Sequence, residues 1–155
     1  MKIPRRRRLE ARTDYKARFE LLKSGKARLV VRKSNRFILA QIVISEGAQD
    51  KVITGFTSKD LLQKGWPKEK EGSLKSLQSA YLTGYFIGKK IDGKVKEALF
   101  DIGMQRNVHK SRLYAVLKGA IDAGMKIPHD SNALPTEKEF AKNKELHLLM
   151  QKLIK

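Results

Sequence analysis

Fourteen of the first 36 residues are Lys or Arg, and only three are Asp or Glu. Eight of the fourteen fall into two clusters. Arg5, Arg6, Arg7, Arg8 and Arg12 make the first, and Arg32, Lys33 and Arg36 gather around Ser34 and Asn35 in the second. Arginine suits phosphate because its planar guanidinium donates two parallel hydrogen bonds. Tyr15, between the clusters, offers a ring that could stack on an unpaired base or pack beneath the basic arm. Arg106, Lys110 and Arg112 form a third group ahead of a predicted helix, where backbone N–H groups add to the pull on an anion. The chemistry on offer is polyanion binding, with nucleic acid as the first partner class and an anionic membrane surface as the alternative.

Residues for bond-making chemistry are sparse. The chain has no cysteine, and His109, His129 and His147 are widely separated, so no metal-ligand spacing emerges. Gly84–Lys90 resembles a phosphate loop, but it has three residues between its glycines and lacks the Ser or Thr after the lysine. It reads as a packing helix. Asp101, at the end of a predicted strand, is where a metal ligand of a two-metal nuclease would sit. The early strand runs supply no second carboxylate, so a structural acceptor role is the stronger expectation for Asp101.

The elements that must position these groups follow from periodicity. Residues 1–12 contain too little apolar surface to fold alone and are expected to form an extended arm. A short, irregular helix covers 14–23; its charges are spread too widely for an amphipathic membrane helix. Arg28–Ile44 holds two apolar, β-branched runs around a polar break, the mark of an antiparallel hairpin with the second cation cluster at its tip. A third strand is expected at Val52–Phe56 after a loop at Ser45–Asp50. Ser73 is the expected N-cap of a helix over Leu74–Lys90, whose Gly84 and Gly88 would let it sit close against a sheet. A short strand, Ala98–Ile102, leads to a helix capped by Ser111 and stopped by Gly124. Thr136 and Glu139 make a capping box for a last helix with a stripe of Phe140, Leu146, Leu149, Met150 and Leu153. This order suggests an α/β fold, a mixed sheet covered by helices with a parallel crossover into the fourth strand.

At 155 residues and 41% hydrophobic content the chain is long enough for one domain with a real core. No run approaches the roughly 18 apolar residues of a membrane span, and no apolar segment follows the basic start as in a secretory signal. An intracellular protein is expected. The net charge is +18, of which +11 (14 minus 3) lies in residues 1–36, a concentration that self-repels unless a polyanion relieves it.

Longer stretches carry a specific resemblance. Arg5–Arg8, Glu10–Tyr15, Leu22–Lys26 and Arg28–Val30 run into Arg32-Lys33-Ser34-Asn35, and are followed by Ser79–Gly84, Leu99–Gly103, Lys118–Gly124 and Ile127–His129. Over roughly residues 5–130 this succession resembles the archaeal and eukaryotic form of ribosomal protein L-eighteen, a 5S rRNA-binding protein of the large subunit. The resemblance implies a three-layer α/β/α fold of the ribonuclease-H-like type, with no catalytic metals and no cofactor. It implies a place in the cytoplasmic ribosome, in the central protuberance, touching 5S and 23S rRNA beside ribosomal proteins L-five and archaeal–eukaryotic-type L-twenty-one. RNA binding is carried over to Arg5, Arg6, Arg7, Arg8, Arg12, Tyr15, Arg28, Arg32, Lys33, Ser34, Asn35 and Arg36, and polyanion chemistry adds Lys110 and Arg112. The expected division is 1–27 basic arm and short helix, 28–130 α/β core, and 131–155 helical extension. One departure stands out: the family has glycine before Ser111, where this chain has Lys110. A magnesium-dependent nuclease on a similar sheet and a general nucleic-acid-compacting protein are the competing readings.

Overall fold

The computed structural model describes residues 6–10, 12–46, 49–91, 95 and 97–154. Four strands, Ala27–Lys33 (β1), Ile38–Glu46 (β2), Gln49–Thr57 (β3) and Ala98–Asp101 (β4), form one sheet in the order β3-β2-β1-β4. β1 runs antiparallel to β2, and β2 to β3, while β4 joins β1 in parallel with Leu29 opposite Phe100 and Val30 opposite Asp101. The sheet is therefore mixed, as the crossover pattern requires. Among the described residues six α-helices accompany it: Arg6–Leu9 (α1), Tyr15–Lys23 (α2), Leu77–Ile91 (α3), Arg112–Asp122 (α4), Glu137–Ala141 (α5) and Lys144–Ile154 (α6).

Strand alternation decides which residues face which layer. Leu29 and Val31 of β1 share a face with Ile38, Ala40 and Ile42 of β2, all fully buried against α3 and α4. Arg28, Val30 and Arg32 take the opposite face. There α2 stands over the sheet, tied down by Arg18 Nη2 donating to Asp50 Oδ2 at 2.7 Å. Helices thus lie on both sides of the sheet, giving three α/β/α layers.

Several boundaries differ from expectation for local reasons. The basic segment is not fully extended, because Arg6–Leu9 makes a helical turn. Glu10 sits among the arginines, pairing with Arg6 at 3.2 Å and Arg12 at 3.3 Å, which relieves their repulsion. Strand β3 starts earlier than Val52. α3 begins at Leu77, with Ser76 Oγ accepting from the Ser79 backbone N–H, whereas Ser73 Oγ donates to the Lys70 carbonyl. The capping box of Thr136 and Glu139 is present, but the last helix is two helices. Asn143 Oδ1 accepts from Leu146 N at 3.2 Å and restarts the second, as a side chain that competes with helix backbone will do. These two helices dock on α3: Gln78 Nε2 donates to the Phe140 carbonyl at 2.7 Å, and the Phe140 ring meets Tyr81 edge-on at 5.4 Å.

The glycines of α3 also act differently than expected. They bring α3 close to α4, not to the sheet. A Cβ at Gly84 would lie 1.9 Å from the Val116 carbonyl oxygen, and one at Gly119 would lie 2.0 Å from that of Tyr81. Both neighbours are helix backbone and cannot yield. Gly84→Ala should lower the stability measured by urea unfolding by about 3 kcal/mol. Gly72→Ala, which meets nothing within 4 Å, should stay within about 0.5 kcal/mol of the parent.

Candidate nucleic-acid interface

The interface grows out of β1. Arg28 and Arg32 lie on one face of the strand, yet the structure separates them. Arg28 is 2% exposed and its guanidinium is fully committed. Nη1 donates to Asp101 Oδ2 at 3.1 Å, and Nη2 to Asp50 Oδ1 at 2.8 Å and to Ser45 Oγ at 2.9 Å. The expectation that Arg28 reaches RNA is corrected: it is a buried tie between β1, β3 and β4. Arg32 remains 41% exposed, with Nη2 on Asp101 Oδ1 at 3.0 Å and Nη1 on the Asp101 and Val31 carbonyls at 2.8 and 2.9 Å. Gly103, at φ +60°, donates its N–H to Asp101 Oδ1, and a Cβ there would sit 2.9 Å from Arg32 Cζ. Glycine lets the guanidinium lie against the strand end.

Asp101 therefore accepts from three donors and is 6% exposed, the structural acceptor that was the stronger expectation. Asp50 is the second hub. Burial pushes its carboxyl up, but hydrogen bonds from Ser45, Arg18 and Arg28 outweigh burial and leave it at about 2. The chain Arg18–Asp50–Arg28–Asp101–Arg32 carries three positive and two negative charges, so positive charge is in excess at its exposed ends.

Those ends open onto a cleft of about 490 Å³ between α2 and the loop after β4, into which Arg7, Arg12, Arg18 and Arg32 converge. Thr13 Oγ1 accepts from Arg7 Nε at 2.9 Å, and Asp14 caps α2 by accepting from Lys16 and Ala17 N–H, so the arm's end is placed by side-chain hydrogen bonds. The hairpin tip adjoins the cleft, because Gln105 Nε2, one residue past Met104 of the cleft wall, donates to the Lys33 carbonyl at 3.3 Å. Lys33, Ser34, Asn35 and Arg36 are exposed. Ser34 Oγ accepts from Phe37 N–H at 2.9 Å and closes the turn, and Lys75 Nζ donates to the Asn35 carbonyl at 3.1 Å.

The remaining expected residues are scattered. Arg5 lies outside the described residues, as does the side chain of Arg8; Arg6 is exposed and paired with Glu10. Tyr15 is half-buried at the start of α2, and one turn on Phe19 is 63% exposed. Arg112 is exposed, but Lys110 is paired with Glu139 at 3.4 Å. Lys110 also takes φ +57°, the left-handed conformation that glycine adopts freely. Sequence reasoning passed over Arg18 and Lys75. Arg18 looked like one of several charges spread around a helix, and Lys75 reaches the tip only through the fold.

Among the described residues no group of three or more His, Asp or Glu could hold a metal ion, and no helix is long and apolar enough to cross a membrane. The nuclease reading has no support, since its one candidate carboxylate is occupied by arginines.

Comparison with known proteins gives a consistent result. A family model described as ribosomal large-subunit proteins 60S L5 and 50S L18 matches residues 1–98 and 92–130. A large ribosomal subunit protein uL18 of Haloferax volcanii is 43% identical over 148 residues, 95% of this chain and 77% of that protein. The uL18 of Korarchaeum cryptofilum is 45% identical over 88% of this chain and 68% of its own length, and that of Haloarcula marismortui 45% over 86% and 70%.

Two outcomes test this geometry. Asp50 sits below its ordinary 3.8, so its contribution to stability is fully present above about pH 4 and is lost as pH falls toward 2. Urea midpoints measured across that window should fall more steeply for the parent than for Asp50→Asn. At the strained position, Lys110→Gly should be more stable than Lys110→Ala by about 1 kcal/mol in thermal unfolding, since both lose the Glu139 pair and only one relieves the backbone.

Proposed function

Because the chain belongs to the family of ribosomal large-subunit proteins 60S L5 and 50S L18, we propose that it binds 5S rRNA and helps attach it to 23S rRNA, beside ribosomal proteins L-five and L-twenty-one. It is a structural component of the large ribosomal subunit and not an enzyme. The observation that carries the RNA-binding reading is the convergence of Arg7, Arg12, Arg18 and Arg32 on one cleft beside the cationic hairpin tip.

The physical work is electrostatic and geometric. Arg32 is held by Asp101 before any ligand arrives, so little side-chain entropy remains to be lost on meeting a phosphate. Its exposed edge, with Arg7, Arg12 and Arg18, lines the cleft, while Lys33, Asn35 and Arg36 project from a turn that Ser34 closes. Arg6 adds an exposed cation on the arm, Tyr15 and Phe19 offer rings to unpaired bases, and Arg112 is a further exposed cation at the start of α4. Arg28 serves from inside, as the tie that keeps Asp101 in place. Neutralising about 6–10 phosphates would weaken binding by about 10³–10⁵ between 50 and 200 mM salt.

The test is a filter-binding titration with 5S rRNA at fixed salt. Lys33→Glu with Arg36→Glu should cost at least about tenfold in affinity while the unfolding midpoint stays put, because both side chains are exposed. Unchanged affinity would overturn the placement of the interface. Equal affinity of the parent for 5S rRNA and duplex DNA at matched salt would favour the general compacting protein instead.

A further inference from the structure

A second group of cations lies elsewhere on the molecule. Lys64, at the end of the 3₁₀ segment Ser58–Lys64, and Lys89 and Lys90, in the last turn of α3, surround a cleft of about 460 Å³ floored by Phe56 and Phe86. All three lysines are exposed. Lys64 Nζ lies 5.9 Å above the Phe86 ring, Lys89 Nζ 5.6 Å above that of Tyr85, and Lys90 Nζ donates to the Gly55 carbonyl at 3.3 Å.

Some surface lysines have an acidic partner, whereas this group has none among the described residues. Lys26, Lys70, Lys110 and Lys118 each pair with a carboxylate. None of Lys64, Lys89 and Lys90 forms an ion pair among the described residues. The carboxylate in the cleft wall, Asp60, is turned to its capping partner, the Thr57 N–H at 2.9 Å. The helix dipole accounts for cations in the last turn of α3. Lys64 closes the last turn of a different helix, and the fold brings all three lysines to the same cleft.

We propose that this cleft is a second phosphate-backbone site, which takes an RNA segment other than the one held at the hairpin tip. The proposal rests on the RNA-binding reading above and extends it to two-sided binding. Lys75 marks the tip at the start of α3, and Lys89 and Lys90 mark its end; the helix between spans about 22 Å, roughly the width of a duplex. A single strand lying along α3 would meet both ends, and that is the case in which 5S affinity falls in parallel with duplex binding. Two segments clamped on either end of one helix would be held at a fixed separation by the protein.

The test uses the full chain preassembled one-to-one with 5S rRNA at about 150 mM salt, titrated with a labelled RNA duplex. The parent complex should bind the duplex. The variant Lys64→Glu, Lys89→Glu, Lys90→Glu should weaken that second binding at least about tenfold while its 5S affinity stays within about twofold of the parent. Replacing the same lysines by Gln should make the salt slope of duplex binding shallower by about 2–3. A parent complex that takes no duplex, or a variant that takes it equally well, overturns the proposal, as does a parallel loss of 5S affinity. If the chain fails to bind 5S rRNA at all, the earlier reading falls by itself. The lysine cleft is then judged by duplex affinity of the triple variant in a Lys33→Glu, Arg36→Glu background.

Discussion

The contact on which the architecture depends is the Asp101 carboxylate between Arg28 and Arg32. β4 is only four residues long and pairs in parallel with β1, the less stable of the two ladder types. Hydrogen bonds from two guanidinium groups and the Gly103 N–H hold its end. The same carboxylate sets register. A slip of one residue would turn Asp101 to the other face, among Leu29, Val31 and the helices, where an unpaired charge has no partner. Because Arg28 is 2% exposed, removing Asp101 takes one of its two carboxylate partners from a dry site and leaves Asp50 alone to balance the charge.

That buried pair is also why the surface is usable. Arg32 shares Asp101 with Arg28, so one carboxylate serves a structural tie on its inner side and an oriented, partly exposed cation on its outer side. Asp50 repeats the arrangement between Arg28 and Arg18. The core of the polar face and the wall of the basic cleft are one continuous hydrogen-bonded chain. The position of α2 over the sheet and the aim of its arginine are set together.

Local features were legible because local chemistry decides them. The hairpin around Ser34-Asn35, the Gly124 stop and the capping box of Thr136 and Glu139 all appear where residue type and spacing require. Long-range charge pairing was not legible. Arg28 and Arg32 are two turns of the same pleat, and nothing within the strand distinguishes a buried arginine from an RNA-facing one. Their difference is made by Asp101, 73 residues away from Arg28, and by Asp50. The glycines of α3 had the right meaning, close approach, but the wrong partner, since sequence alone does not say whether a sheet or a helix arrives at that face. The break before α6 turned on Asn143, whose capping strength competed with an apolar stripe that runs unbroken through it.

The excess of cations gains its meaning from where the 16 acidic residues are placed. Were acids spread evenly among the 34 Lys and Arg, the surface would be a mosaic of weak ion pairs worth little each. Instead, Glu97, Glu145 and Asp122 pair with lysines around the sheet edge and the helices, and Asp50 and Asp101 are drawn inside. The hairpin tip and the lysine cleft at the far end of α3 are two of the places where cations are left without an acidic partner among the described residues. At +18 the like charges favour solubility but repel one another in the folded state. Adjacent like charges repel one another, and an external polyanion would relieve that repulsion at the hairpin tip.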